Sequence, residues 1–167
     1  MRFSVNIWAA IVKDHLIGPQ ILAERLNGAM YLNFLQNTLP ELLENIPLQL
    51  RACMWYQDDG APAHFDRMAR AYLADIFKQR VIGRGCPVSW PGRSPDLTPP
   101  DFFLWGYVKA IVYSTPVETV NDLTERIFAA FDTIRENREI FQRIRQNMVR
   151  RCTLCNEVGG RHFEHLL

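Results

Sequence analysis

The sequence predicts an α/β fold in a single domain that covers residues 1–167. Short apolar runs, which are typical of strands, alternate with longer segments whose apolar residues recur at helical spacing. A chain of 167 residues with 48% hydrophobic composition can bury one sizeable core and is too short for two ordinary domains. No internal repeat, low-complexity tract or linker divides the chain.

The elements follow from apolar periodicity and from turn residues. The predicted strands are Phe3–Val12, Leu16–Leu22, Cys53–Gln57 and Val88–Trp90. The predicted helices are Gly28–Asn45, Pro62–Phe77, Phe102–Tyr113, a helix that runs from a Thr119 cap through Ile134, and Glu139–Cys155.

The composition and the apolar runs of the sequence argue against a secreted protein and against a membrane-spanning protein. Four cysteines in a chain with no secretory signal indicate a reducing compartment. The N-terminal apolar run is interrupted by Asn6 and stops at Lys13, which favours a strand over a signal peptide. No stretch approaches the roughly eighteen apolar residues of a membrane span, so no membrane partner is expected.

Two short acidic motifs carry the candidate chemistry. One is D-G-A-P-A-H from Asp59 to His64, and the other is S-P-D-L-T-P-P-D from Ser94 to Asp101. Asp59 follows a predicted strand, at the end where open α/β sheets place their sites, and Asp101 lies at the start of a predicted helix. Two carboxylates aimed at one crevice supply the hard oxygen ligands that Mg²⁺-dependent phosphoryl transfer requires.

The two motifs together resemble the DDE/D catalytic domain of mariner-type DNA transposases, which has a ribonuclease-H-like fold. The resemblance includes Phe102-Phe103-Leu104-Trp105 after the second motif and covers nearly the whole chain. It implies that the second and third catalytic carboxylates are Asp59 and Asp101, with Mg²⁺ or Mn²⁺ as cofactor. The interval of 42 positions between them (101 − 59) is longer than is typical of mariner elements, and the Gly83–Pro87 stretch accounts for the excess as a surface loop.

Each carboxylate has a neighbouring competitor. Alternation along a strand lets only one of Asp58 and Asp59 face the crevice, and the family register chooses Asp59. Asp96 lies between Pro95 and Leu97, where an aspartate is more simply a turn-forming residue, so Asp101 is favoured.

The resemblance also implies what the 167 residues do not contain. The family's first catalytic aspartate lies on a strand upstream of the segment that Phe3–Val12 resembles, and no acid here matches it. We therefore expect a remnant of a transposase catalytic domain that binds nucleic acid at most. The alternative is an active metal-dependent endonuclease and strand transferase with a replacement third carboxylate. The implied partner is DNA, the implied compartment is the nucleus, and a homo-oligomer stays open.

The missing strand bears on stability as well. In the family it is the central strand, so Phe3–Val12 and Cys53–Gln57 would be left with exposed edges. The two segments could pair directly, recruit a strand from another molecule, or leave the chain marginally stable. We expect poor solubility and a melting temperature below the mesophile range of about 45–65 °C.

Arginine dominates the basic residues and suggests where DNA phosphates bind. Sixteen of the 19 basic residues are Arg, and seven of them lie between Ile134 and Leu167, against four Glu. The planar guanidinium suits phosphate better than a lysine point charge does, although a solvated helix face has the same pattern. The predicted contacts are His64, Arg93, Arg143, Arg145, Arg150 and Arg151.

Two other motifs have a chemical and a purely structural interpretation. Cys152-x-x-Cys155 followed by His162-x-x-His165 has the ligand types of a zinc site, but it also fits packing of a C-terminal segment, which is favoured. Trp90 and Trp105 flank the Pro-rich loop and could stack on an unpaired base, although core packing is favoured.

Overall fold

The computed structural model describes residues 3–90 and 94–167. Arg93, one of the predicted phosphate contacts, lies outside these residues. The chain forms two compact units. The first unit contains the residues up to Ile21 together with Pro95–Leu167, and the second is Leu22–Ser94. That the two behave as one domain stays a prediction, which a single cooperative unfolding transition would support.

The described residues form five strands and seven α-helices. In chain order the elements are β1 (Ile7–Val12), β2 (His15–Ile21), α1 (Gly28–Asn33), α2 (Leu39–Leu42), α3 (Leu48–Cys53), β3 (Tyr56–Gln57), α4 (Arg67–Ile76), β4 (Val81–Gly83), β5 (Val88–Ser89), α5 (Trp105–Val112), α6 (Val120–Glu136) and α7 (Arg138–Glu157). Short 3-10 or π-helical turns occupy Phe34–Thr38, Pro62–Phe65, Pro95–Leu97, Pro100–Leu104 and Glu164–Leu166.

The first unit is built on a hairpin and three helices. β1 and β2 pair antiparallel through a tight turn in which Lys13 has a φ of 51°. The core of this unit lies along α5, α6 and α7 and includes Leu104, Val108, Leu123, Ile127, Phe131, Ile134, Ile140, Phe141 and Ile144. Thr119 caps α6 as predicted, because its hydroxyl accepts a hydrogen bond from the Asp122 N–H at 3.0 Å.

The second unit contains a parallel sheet of three short strands in the order β3-β4-β5. Tyr56 is in register with Val81 and Gln57 with Ile82, and Val81 is fully buried. The ladder continues past the end of β3, since the Asp58 N–H donates to the Ile82 carbonyl at 2.9 Å. The position of Asp58 is therefore fixed by the sheet.

The observed strands differ from the predicted ones in this unit. Cys53 ends helix α3, and only Tyr56–Gln57 of the predicted Cys53–Gln57 strand is extended. A short apolar run does not by itself distinguish a strand from a helix, and here Pro47 at the N-cap starts a helix. β4 was not predicted, because its three residues are too few to show a period.

No helix in the described residues is both long enough and apolar enough to cross a membrane. The strands of these residues group into a two-stranded antiparallel sheet and a three-stranded parallel sheet. The expectation of low stability stays a prediction.

The core of the first unit can be tested on one helix. Phe131 is fully buried on α6, whereas Phe128 on the same helix is 42% exposed. We expect Phe131→Ala to lower the free energy of unfolding by about 3–5 kcal/mol, since a large buried ring leaves a cavity. Phe128→Ala, the matched control, should cost far less. Urea denaturation of both variants measures the difference, and equal losses would contradict this assignment of the core.

Candidate functional site

Asp58 is a buried carboxylate that is held by Tyr31. It is 5% exposed, and the Tyr31 hydroxyl donates to its Oδ1 at 2.7 Å. The Tyr31 hydroxyl also lies 2.9 Å from that of Tyr56. Burial raises the pKa of Asp58 to about 6, against the opposing effects of His64 and of the Tyr31 hydrogen bond. Its Oδ2 has no hydrogen-bond partner in the part of the chain that the structure describes.

Asp59 turns the other way and is open to solvent. Half of its side chain is exposed (50%), as alternation after β3 predicts. Its Oδ1 accepts from the Ala61 N–H at 2.9 Å and contacts His64 Nδ1 at 2.6 Å. The His64 hydrogen bond, helped by the Ala61 N–H, lowers the pKa of Asp59, although partial burial opposes this. The ionised carboxylate thus keeps Oδ2 available.

His64 is fixed on two sides. Its ring lies 4.3 Å from the Tyr31 ring, centroid to centroid, and its Nδ1 is 3.6 Å from Asp58 Oδ1. Because an ionised carboxylate only accepts hydrogen bonds, Nδ1 donates to Asp59. Burial alone would lower the pKa of His64, but the Asp59 hydrogen bond and the charges of Asp58 and Asp59 raise it. His64 therefore positions Asp59.

The turn that carries these groups follows from the D-G-A-P-A-H sequence. The Asp59 side chain closes a local turn onto the Ala61 N–H, and Pro62 starts the 3-10 turn Pro62–Phe65. Asp66 then caps α4 by accepting from the Met68 and Ala69 N–H groups. These local bonds bring His64 back onto Asp59.

Asp101, the other predicted ligand, lies in the first unit. It is exposed in the π-helical turn Pro100–Leu104, and its N–H donates to the Thr98 carbonyl at 2.9 Å. Its competitor Asp96 lies in a 3-10 turn, as a turn-forming residue would.

A divalent metal fits the Asp59 oxygens by chemistry and needs further ligands. The open carboxylate oxygen of Asp59 is the kind of ligand that Mg²⁺ and Mn²⁺ prefer. No cluster of three or more potential metal-binding side chains occurs among residues 3–90 and 94–167. A cation held here would therefore draw on water and phosphate oxygens for the rest of its shell.

Three of the predicted arginines are engaged within the first unit. Arg145 pairs with Asp14, Arg150 donates to the carbonyls of Leu166 and Leu167, and Arg151 donates to the Asp96 carbonyl at 3.1 Å. The Arg151 guanidinium also lies 4.4 Å from the Phe102 ring centroid. Arg143 is exposed on α7. Their role as DNA contacts stays a prediction.

Of the remaining motif residues, Trp105 has a packing contact, and zinc binding by the Cys/His motif stays an open alternative. Trp105 packs against the buried Phe131 ring at 6.4 Å between centroids. His162 and His165 lie 5.9 Å apart, and they form no metal-binding cluster with cysteines in the described residues. Sequence reasoning missed Tyr31, whose hydroxyl and ring both contact the site. A tyrosine in a helical apolar stripe gives no signal of such a role.

The ribonuclease-H-like fold is shared with solved structures of a transposase catalytic domain. No protein-family model matches the chain. The chain is similar in structure to the Mos1 transposase catalytic domain solved with raltegravir and Mg, with a TM-score of 0.74 and 22% identity over 91% of this chain and 73% of that one. A second structure of that domain, with raltegravir and Mn, gives a TM-score of 0.75 and 19% identity over 96% of this chain and 83% of that one.

A sequence relative agrees with the structural likeness. The chain is 30% identical to the Transposable element Tc3 transposase of Caenorhabditis elegans over 136 residues, which are 80% of this chain. It spans 38% of the length of that relative. The chain therefore resembles the catalytic domain of mariner-like transposases in both sequence and fold.

The Asp59–His64 pair makes stability depend on pH in a defined way. His64 has a raised pKa when folded, so its stabilisation is complete below the unfolded value of about 6.5 and is lost as pH rises through the folded value. Asp59 has a lowered pKa, so its stabilisation is present above about pH 3.9 and is lost as pH falls through the folded value.

Replacing Asp59 tests this pairing directly. We expect Asp59→Asn to lower the pKa of His64. The negative charge of Asp59 favours protonated His64, and without that charge the effect of burial is opposed by Asp58 alone. Asp75→Asn, which removes an exposed acid of the same unit, is the control. NMR titration of the histidine rings measures the shift, with the other three histidines as internal reference. An unchanged His64 titration in Asp59→Asn would contradict the pairing.

Proposed function

We propose that this 167-residue polypeptide is a DNA-binding remnant of a transposase catalytic domain that holds Mg²⁺ or Mn²⁺ weakly and does not itself cut DNA. The observation that carries the proposal is the Asp59 carboxylate. It is ionised, half-exposed and fixed through Oδ1, which leaves Oδ2 for a ligand. Its expected place of action is the nucleus, where chromosomal DNA lies.

Asp59, His64 and Tyr31 have separate roles in the proposed site. Asp59 offers an oxygen, His64 holds its proton on Nδ1 and fixes that carboxylate, and Tyr31 holds Asp58 away from it. Asp101 is the second metal ligand by its match to the family motif. When bound, Mg²⁺ or Mn²⁺ polarises phosphate oxygens and lowers the pKa of a bound water.

Charge and ligand number explain why catalysis is not expected. Phosphoryl transfer at a two-metal site requires two divalent ions, which together carry four positive charges. The carboxylates of Asp59 and Asp101 would neutralise two of these charges. Mg²⁺ also requires near-octahedral coordination at about 2.0–2.1 Å, which two side chains cannot fix. The family's third carboxylate supplies what the two lack.

An active endonuclease is the second candidate, and one observation favours it. The Oδ2 of Asp58 is buried without a hydrogen-bond partner among the described residues, next to the predicted ligand. A carboxylate in that state could serve as the replacement third ligand if the turn rearranged. The two candidates differ in the response to Asp58→Asn.

Metal binding separates Asp59 from Asp58. We expect Asp59→Asn to weaken Mn²⁺ binding at least about tenfold. Loss of a residue that only supports a metal ligand already lowers metal affinity by about this factor, and Asp59 is proposed to bind the metal directly. Asp101→Asn should act in the same direction. Asp58→Asn and the exposed control Asp75→Asn should leave affinity unchanged. Electron paramagnetic resonance of free Mn²⁺ measures each variant, and a loss in Asp58→Asn alone would favour the second candidate.

Cleavage tests the proposal itself. The polypeptide should not nick supercoiled plasmid DNA with Mg²⁺, because the third carboxylate is missing from its ligand set. Fusing an upstream strand that bears an aspartate should be a precondition for activity, with the same strand bearing asparagine as control. Mg²⁺-dependent nicking by the polypeptide alone, abolished by Asp59→Ala, would overturn the proposal in favour of the active enzyme.

A further inference from the structure

Two arginines lie against one exposed phenylalanine in the second unit. The guanidinium carbons of Arg70 and Arg84 are 4.5 and 4.6 Å from the centroid of the Phe65 ring. Phe65 is 42% exposed. These three residues are called the Phe65 cluster below. Both guanidinium groups thus lie within cation–π distance of the same exposed ring.

The cluster is tightly built by the Gly83–Pro87 loop. Arg70 donates through Nη1 to the Gly85 carbonyl at 2.6 Å and through Nε to the Phe65 carbonyl at 3.2 Å. Gly85 has a φ of +69°, and an added Cβ would lie 2.4 Å from Arg70 Nη1 and 3.1 Å from the Phe65 ring. The positive φ favours glycine at this position, and a Cβ there would displace the Arg70 guanidinium from the Gly85 carbonyl.

The positive charge of the cluster is not neutralised within the described residues. Arg84 is exposed and forms no ion pair or hydrogen bond with them, and Arg70 donates to carbonyls alone. Asp66, the next acid along the chain, accepts hydrogen bonds from the first turn of α4 instead. Two like charges held against one ring repel each other, and a bound anion relieves that repulsion.

The cluster is joined to the candidate site through one turn. Phe65 follows His64 in the 3-10 turn Pro62–Phe65, and His64 Nδ1 lies 2.6 Å from Asp59 Oδ1. An anion bound by Arg84 beside the Phe65 ring would therefore lie next to the short segment that holds Asp59 Oδ1.

We propose that the Phe65 cluster binds backbone phosphate of the DNA strand that reaches Asp59. The inference rests on the proposed function for its choice of DNA as the polyanion. The guanidinium fork of Arg84 matches phosphate oxygens, and its contact with the ring reduces the entropy lost on binding. Such a contact positions the strand and reads no sequence. The predicted contacts on α7 are largely engaged within the protein, which leaves this cluster as the better-prepared phosphate site.

Salt dependence tests the cluster in the full 167-residue chain, with a mixed-sequence 20-nucleotide strand as probe. Each phosphate contact contributes about 0.7 to the slope of log affinity against log salt for a single strand. We expect Arg84→Gln to weaken binding and to reduce the slope by about that amount. The ratio of wild-type affinity to Arg84→Gln affinity should therefore fall about threefold between 50 and 200 mM salt. Arg84→Lys keeps the charge and should keep the slope.

The control is Arg25→Gln, which removes an exposed arginine of the same unit that forms no hydrogen bond or ion pair with the described residues. It should leave both affinity and slope unchanged. The proposal would be overturned if Arg84→Gln and the wild type showed the same slope of log affinity against log salt. This holds even if Arg84→Gln binds the strand more weakly. Loss of slope in Arg84→Lys would overturn it as well. If the wild type binds no DNA while it remains folded, the proposed function fails first.

Discussion

The hydrogen bond from Tyr31 to Asp58 is the interaction on which the candidate site depends. It joins α1 to the end of β3 and keeps one of two adjacent carboxylates buried. Because neighbouring residues after a strand point to opposite sides, burial of Asp58 directs Asp59 outward. The same tyrosine packs its ring on His64, which holds Asp59. Asp58 Oδ2 is buried without a hydrogen-bond partner among the described residues, which lowers the stability of the folded state. The same arrangement keeps Asp59 fixed and exposed.

The second unit combines two kinds of group that DNA chemistry needs. One is an open carboxylate oxygen, held through Oδ1 on the turn after β3. The other is a pair of uncompensated arginines on the Phe65 ring, reached through the same turn. Under the proposed function, phosphate positioning does not depend on the metal ligands, so DNA affinity is separable from catalysis. This separation is consistent with a chain that binds nucleic acid without cutting it.

Much of the fold and part of the site could be predicted from the sequence. Long periodic helices were found because each buries a full stripe, and the Thr119 cap was visible in its spacing to Asp122. Asp59 was chosen over Asp58 by alternation and family register; its side chain is 50% exposed, and its role as a ligand stays a prediction. The role of Tyr31 was missed, because a helical aromatic shows no sign of a partner 27 residues away. The Phe65 cluster was missed for the same reason, since a folded loop brings its arginines together.

Anomalous scattering from a crystal soaked in Mn²⁺ tests the central claim most directly, because it locates the metal without any assumption about activity. The account predicts a peak about 2.1–2.2 Å from Asp59 Oδ2, with Asp58 still bonded to Tyr31 and free of metal. A peak on Asp58 with Asp59 unoccupied, or no peak near Asp59 at saturating Mn²⁺, would contradict it.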